Sequence, residues 1–227
     1  FSTGRDVYCE FASQIYNRTI TKQDKLERYV GKTAILGLGY GMGHARFQDT
    51  LKSGSPSVEI SEQVAKSIVT QYRGMYPNIP MLWSKMKDAL FLMLDRQSVP
   101  YGPLTIENKK IILPNNMALK YPNLKFINNE FTYNQYKTLI RTHGPRVTEN
   151  VVQALARIVI TDQMLDIQSL PEVDIVMQVH DEIIAIGSQT DSNATMDKII
   201  NIMRTPPAWC KDLPLDAEGG ISQQYDK

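Results

Sequence analysis

At 227 residues, 42% of them hydrophobic and 22% charged, the chain has the composition of an ordinary folded protein with room for one large domain or two small subdomains. A formal net charge of +1 excludes binding to nucleic acid by bulk charge, so any such contact must come from local patches. Cys9 and Cys210 lie far apart without CxxC spacing, which argues against a zinc site and a disulfide framework and makes a reducing cytosol the natural compartment. No apolar run approaches the roughly 18–20 residues of a membrane span, and the first residues lack the basic-then-apolar layout of a signal peptide.

Residues 6–16 carry Val7, Phe11 and Ile15 beside Tyr8, Ala12 and Tyr16, a helical spacing that Asn17-Arg18 breaks. Thr21 to Asp24 reads as an N-cap with an acid in the first turn, opening a helix expected over about residues 22–41. Along it Arg28, Lys32, Leu36 and Tyr40 recur every four residues. On a helix each such step turns about 400° and climbs about 6 Å, so one face presents a guanidinium, an ammonium, an apolar contact and a ring over roughly 18 Å. That length suits an extended nucleoside triphosphate, with the cations toward phosphates and the apolar groups toward sugar and base. The bland reading is an amphipathic helix with a solvated basic edge. Gly31, Gly37 and Gly39 weigh against it, since each costs about 1 kcal/mol inside a helix and implies close approach to the backbone. Gly41 has the simpler role of ending the helix.

The pattern Arg28-x3-Lys32-x3-Leu36-x3-Tyr40-Gly41 resembles the fingers helix of family A DNA polymerases, the class of bacterial DNA polymerase I and many phage replicative enzymes. The opening Asp-Val-Tyr-Cys-Glu-Phe-Ala is similar to the phage branch. The resemblance implies an α+β fold with a mostly helical fingers subdomain and part of a palm built on an antiparallel sheet.

Helices are expected over residues 43–51, 59–75 and 79–94, separated by the turn-rich Lys-Ser-Gly-Ser-Pro-Ser stretch and by Pro77. Tyr72-Arg73, Tyr76-Pro77, Ile79 and Trp83 are again similar to the fingers region, although apolar residues at these spacings are ordinary core and no chemistry is assigned to them. From Val99 to Phe126 the texture changes to short strands and turns. Lys109, Lys110, Lys120 and Lys125 there face either solvent or a nucleic acid backbone. Residues 147–167 read as one long helix with Glu149, Asn150 and Gln153 at its start. These side chains either cap the helix or hydrogen-bond base edges and sugars, since amides carry both donors and acceptors. The resemblance favours DNA contact, because the family has a palm helix here. Glu149 departs from the Asn more common in the family, and a carboxylate would repel phosphate.

Residues 173–179 and 183–186 are β-prone runs around His180-Asp181-Glu182 and read as a hairpin with charges at its tip. Alone, such a tip is a solvated turn; flanked by buried strands it is a carboxylate on rigid support. Adjacent carboxylates on extended backbone point to opposite faces, so Asp181 and Glu182 are not expected to share one metal equally. Val179-His180-Asp181-Glu182 is similar to the palm hairpin motif of the family. By resemblance Asp181 binds two Mg²⁺ ions, Glu182 is a secondary ligand or electrostatic support, and His180 lies near the primer terminus. Tyr40 and Gly41 join Glu149, Asn150, Gln153 and His180 as expected DNA contacts. Arg28, Lys32, Leu36 and Tyr40 bind the nucleotide, and Lys32 is also placed to protonate the leaving pyrophosphate. A helix follows Thr190-Asp-Ser, stopped by Pro206-Pro207, and the tail resembles the phage C-terminus that pairs as a strand near the palm.

The implied layout is fingers over residues 1–98, a β-rich connection over 99–146 and palm over 147–227. The implied function is template-directed DNA synthesis in a bacterial or phage-infected cytoplasm, with template–primer DNA and dNTPs as partners and no membrane. The family's first palm carboxylate motif has no counterpart, since Asp6-Val-Tyr does not match it, so an N-terminal polymerase fragment is expected as a further partner. The hairpin's apolar faces, marginal in isolation, point the same way. Leu36 replaces the family's usual Phe or Tyr. Two alternatives remain, a non-catalytic DNA-binding or assembly subunit and an unrelated metal-dependent hydrolase. The long cationic face speaks against the hydrolase.

Overall fold

The computed structural model describes residues 4–95 and 97–225. Its architecture is α+β, with helices α1–α7 and three antiparallel sheets among the described residues. The chain divides into two compact units. Of the described residues, the first holds those from Gly4 to Val151 except 113–115, and the second holds 113–115 and those from Val152 to Tyr225.

In the first unit, α1 (Val7–Tyr16) starts at Asp6, whose carboxylate accepts the N–H groups of Tyr8 and Cys9 at 3.0 and 3.1 Å. It stops at Asn17, which takes the left-handed conformation at φ 49°. Helix α2 spans Lys25–Leu38, not residues 22–41. The start moves because the Asp24 carboxylate folds back onto the Thr21 N–H and hydroxyl at 2.8 and 2.9 Å and onto Arg18 at 2.9 Å, making Thr21 to Asp24 a turn. The end moves because Gly39, Tyr40 and Gly41 form a turn instead of a last helical coil, with Gly41 at φ +82°.

Helices α3 (His44–Ser53), α4 (Glu62–Met75) and α5 (Asn78–Leu92) follow. The periodic apolar residues of α3 and α4 meet those of α1 and α2 in one core containing Phe11, Val30, Ala34, Leu38, Phe47, Leu51, Ile68 and Tyr72, each at most 2% exposed, with Ile79 of α5 packed against it. Gly31 lets α1 lie directly on α2. A Cβ there would stand 2.3 Å from the Tyr8 carbonyl oxygen and 3.0 Å from the Ala12 Cβ. The close approach inferred from the glycines is thus made at Gly31 by the chain itself.

Strands β1 (Val99–Tyr101), β2 (Leu104–Glu107), β3 (Lys110–Ile112) and β4 (Ala118–Lys120) form a four-stranded meander. Strands β5 (Lys125–Ile127), β6 (Glu130–Gln135) and β7 (Thr138–Thr142) form a second. The β6–β7 turn carries Tyr136 at φ +54°, without the Gly or Asn that usually announces a hairpin. Phe91 of α5 packs edge-on against Phe126 and Phe131, which fixes the second sheet to the helical layer. Helix α6 runs Gly144–Gln168 and contributes to both units.

In the second unit, the later part of α6 joins the hairpin β8 (Val173–Val179) and β9 (Glu182–Gly187) and helix α7 (Ser192–Arg204). Gln168 ties helix to hairpin through Ile175 N–H, 3.0 Å from its Oε1. Gln163, 8% exposed, donates to the Met203 carbonyl at 2.8 Å. The tail expected to pair as a strand forms none over its described residues 206–225. Side chains hold it instead: Arg204 bonds Asp216 at 2.7 Å and the Ala217 carbonyl at 3.1 Å, and Gly219 lies over Met196.

Candidate nucleotide and metal sites

The sequence of α2 sorts its residues onto two faces. Val30, Ala34 and Leu38 are buried, while Arg28 is partly exposed and Lys32 and Leu36 are exposed on the other side. Leu36 is 51% exposed, far more than an apolar residue needs for packing. Three of the four nucleotide-binding candidates thus form one stripe. Tyr40 leaves it, because it lies in the turn beyond Leu38. Its N–H donates to the Gly37 carbonyl at 3.2 Å and the Gly41 N–H to the Leu38 carbonyl at 3.1 Å.

Trp83, which sequence reasoning left without chemistry, and Pro145 meet the turn that ends this helix. The Trp83 indole N–H donates to the Gly39 carbonyl at 3.1 Å, satisfying a carbonyl that the helix end would otherwise leave open. Gly41 meets Pro145 of α6 so closely that a Cβ would stand 2.6 Å from the proline Cβ. At the other end, Asp6 Oδ2 takes both Arg28 Nε and Nη2 at 2.9 Å, and the guanidinium carbon lies 5.3 Å from the centre of the Tyr8 ring. Burial pushes the Asp6 carboxyl up, but the Cys9 N–H and the Arg28 guanidinium outweigh it and hold the group below its usual range. Burial and the Asp6 charge push the neighbouring Cys9 thiol up, away from reactive thiolate. No spacing rule links Asp6 to Arg28; only the close approach of α1 and α2 joins them.

The DNA-contact candidates on α6 lie deeper in the helix than expected. The helix begins at Gly144-Pro145, so Glu149, Asn150 and Gln153 fall beyond the first turn and do not act as its N-cap. Gly144 is required there, because a Cβ would strike the Trp83 carbonyl at 1.9 Å. Asn150 donates to the Tyr121 hydroxyl at 3.2 Å, and the Tyr121 ring is 1% exposed. With Lys120, Tyr133, Tyr136 and Arg146 these residues line an open cleft of about 560 Å³ in the first unit. Of the four lysines considered on the β-rich segment, Lys120 lines this cleft and Lys110 is paired with Glu107 at 2.7 Å.

The hairpin has the expected form. Val179 pairs with Glu182, leaving His180 and Asp181 as the turn, with His180 at φ 55° in a region where His is tolerated better than most residues. Asp181 is exposed and Glu182 half-buried. The Gln178 side chain bridges the Arg157 guanidinium of α6 and the His180 carbonyl, bracing the tip. The strands are less enclosed than their apolar sequence suggests: Val176, at a bulge between Ile175 and Met177, is 52% exposed, and Ile186, paired with Asp174, is 62% exposed.

The donor chemistry at the tip suits a hard divalent cation. Mg²⁺ characteristically takes one or two carboxylates and completes its shell with water and substrate phosphates. Asp181 and Glu182 match that requirement, although no group of three or more His, Cys, Asp or Glu able to hold a metal occurs among the described residues. No helix among the described residues is long and apolar enough to cross a membrane.

The family model for DNA polymerase family A matches residues 1–227. A protein of Bacillus phage SP02 named DNA polymerase is 28% identical over 249 aligned positions, which cover 100% of this chain and 37% of that relative. The chain therefore spans little more than a third of the length of this curated relative. A family match over the full length, joined to an exposed cationic helix and a carboxylate-tipped hairpin in the same chain, establishes that this protein belongs to DNA polymerase family A.

Proposed function

We propose that this chain is the fingers–palm part of a DNA-directed DNA polymerase, with fingers over residues 1–98, a β-rich connection over 99–146 and palm over 147–227. The observation that carries the reading is the stripe of partly exposed Arg28 and exposed Lys32 and Leu36 on a helix whose other face is buried, in a family A chain. In this reading Lys32 and Arg28 bind the phosphates of an incoming dNTP and stabilise the charge that develops on the leaving pyrophosphate. Lys32 holds a proton available to that leaving group. Leu36 gives the sugar and base apolar contact, and Tyr40, in the turn braced by Trp83, borders the templating base with Gly41.

Asp181, supported by Glu182, provides carboxylate oxygens for magnesium. When bound, two such ions would lower the pKa of the primer 3′-hydroxyl and stabilise the pyrophosphate. His180 borders the primer terminus, and Asn150 and Gln153 donate to the duplex, with Glu149 the weakest of these contacts because of its charge. Two carboxylates from one tip are few for two ions, and the hairpin's exposed Val176 and Ile186 seek cover. Both support a further palm segment as partner.

Primer extension with Mg²⁺ and four dNTPs tests the reading, using this chain alone and mixed with a separate palm segment that supplies a further carboxylate. Activity in the mixture that disappears with Asp181→Ala is the expected result. Activity of the chain alone would remove the need for a partner segment. Template–primer binding without extension in either form would favour a non-catalytic DNA-binding or assembly role.

A further inference from the structure

We propose that Asp6 is a positioning residue for nucleotide binding, acting through Arg28. This rests on the reading of α2 as the nucleotide-binding helix. The two carboxylate oxygens of Asp6 do different work. Oδ1 accepts the N–H groups of Tyr8 and Cys9 and so starts α1, while Oδ2 takes the Nε and Nη2 of Arg28 at 2.9 Å each. The guanidinium is further held by the Tyr8 ring, 5.3 Å from its carbon. An unrestrained arginine samples many rotamers, and ordering it is a cost that a ligand must otherwise bear. Here the chain bears it in advance. Asp6 engages one edge of the guanidinium and leaves the Nη1 side outside that contact.

Charge argues the same way. A carboxylate beside a phosphate-binding cation weakens its attraction for anions, so what Asp6 adds to binding is geometry. Asp6 and Arg28 are both half-buried, with side chains 18% and 31% exposed, so the pair is partly shielded from solvent while the guanidinium still reaches the exposed face of α2. Gly31 adds the mechanical link. The absence of its side chain lets the α1 backbone at Tyr8 reach α2, which brings Asp6 within range of Arg28.

Asp6→Asn and Asp6→Ser separate the two roles. Each keeps an oxygen able to start α1, and neither offers Arg28 a carboxylate. Binding is read by photocrosslinking of radiolabelled dTTP with Mg²⁺ to the chain, which needs no catalysis, and circular dichroism checks that α1 and α2 remain formed. The expected result is dTTP affinity weakened on the order of tenfold in both variants. Arg28→Ala alone and Arg28→Ala combined with Asp6→Asn should bind alike, because Asp6 acts only through Arg28. Unchanged affinity, tighter binding, a further loss in the double variant, or no crosslink to the parent chain would each overturn the proposal. Primer extension reads the polymerase function separately. Extension with parental dTTP affinity in Asp6→Asn would defeat this inference alone, whereas correct Asp6–Arg28 coupling without extension in any form would defeat the catalytic reading alone.

Discussion

Replacing Gly31 by Ala tests the packing on which the cationic helix depends. In an open helix the change stabilises by about 1 kcal/mol through lower chain entropy and better helix propensity. At Gly31 the new Cβ would stand 2.3 Å from the Tyr8 carbonyl oxygen, where ordinary contact begins near 3.4 Å. The obstacle is backbone, so α1 as a whole must retreat by about 1 Å from α2. That retreat loosens Phe11 and Ala12, both 0% exposed, and lengthens the 2.9 Å Asp6–Arg28 contact. Overpacking of this kind costs about 1–3 kcal/mol, and an immovable partner puts the cost near the top of that range. After the propensity gain, about 2 kcal/mol of destabilisation remains. For a chain of this size the melting temperature followed by circular dichroism should fall by roughly 4–8 °C. Gly74, in α4 with nothing within 4 Å of its would-be Cβ, is the control, and its replacement by Ala should leave the melting temperature equal or higher. If Gly31→Ala behaves like Gly74→Ala, the close α1–α2 contact is refuted.

Three further outcomes are expected. Trp83→Phe removes the indole N–H from the Gly39 carbonyl and should cost about 1 kcal/mol, seen as a fall of roughly 2–4 °C in melting temperature. The Asp24 carboxyl is held at about 2, by the Thr21 N–H first and the Arg18 guanidinium next. Because that lies below the ordinary value, its contribution is full above pH 3.8 and is lost as pH falls through about 2. Asp24→Asn should therefore flatten the decline in melting temperature over that window, and an unchanged acid profile would refute the assignment. Leu36→Phe adds a ring to the exposed stripe and should shift kcat/KM ratios between dNTPs and sugar-modified analogues by roughly 2–10-fold in single-nucleotide incorporation. Unaltered ratios would remove Leu36 from the proposed nucleotide site.

Most helices were legible because their periodic apolar residues are the ones the core buries. Phe11, Phe47, Leu51, Ile68 and Tyr72 all lie where a helical stripe predicts. The hairpin was legible from two β-prone runs around a polar pair. What could not be read depends on partners distant in sequence. The stop of α2 at Leu38 is fixed by Trp83 and Gly41, and the early start of α6 by room at Gly144 beneath the Trp83 carbonyl. The tail's expected strand does not form over its described residues, where Arg204 and Met196 hold the segment by side chains. Of the candidate site, residue types and spacing located Arg28, Lys32 and Leu36, while periodicity gave no sign that Asp6 and Tyr8 hold the first of them.

The seven strands between α5 and α6 leave and return to the same support. The departing chain continues directly from the end of α5, where the β2–β3 turn also folds back through the Lys109 N–H to the Met93 carbonyl at 2.9 Å, and Gly144 seats the returning chain against the Trp83 carbonyl. A segment with both ends fastened to one helical region can change length without moving what precedes or follows it. The closure entropy grows by only about 0.6 kcal/mol for each doubling of a flexible loop. Insertions and deletions among relatives should therefore gather between residues 95 and 143, where evolution can remodel the surface while the spacing of α2 against the start of α6 stays fixed.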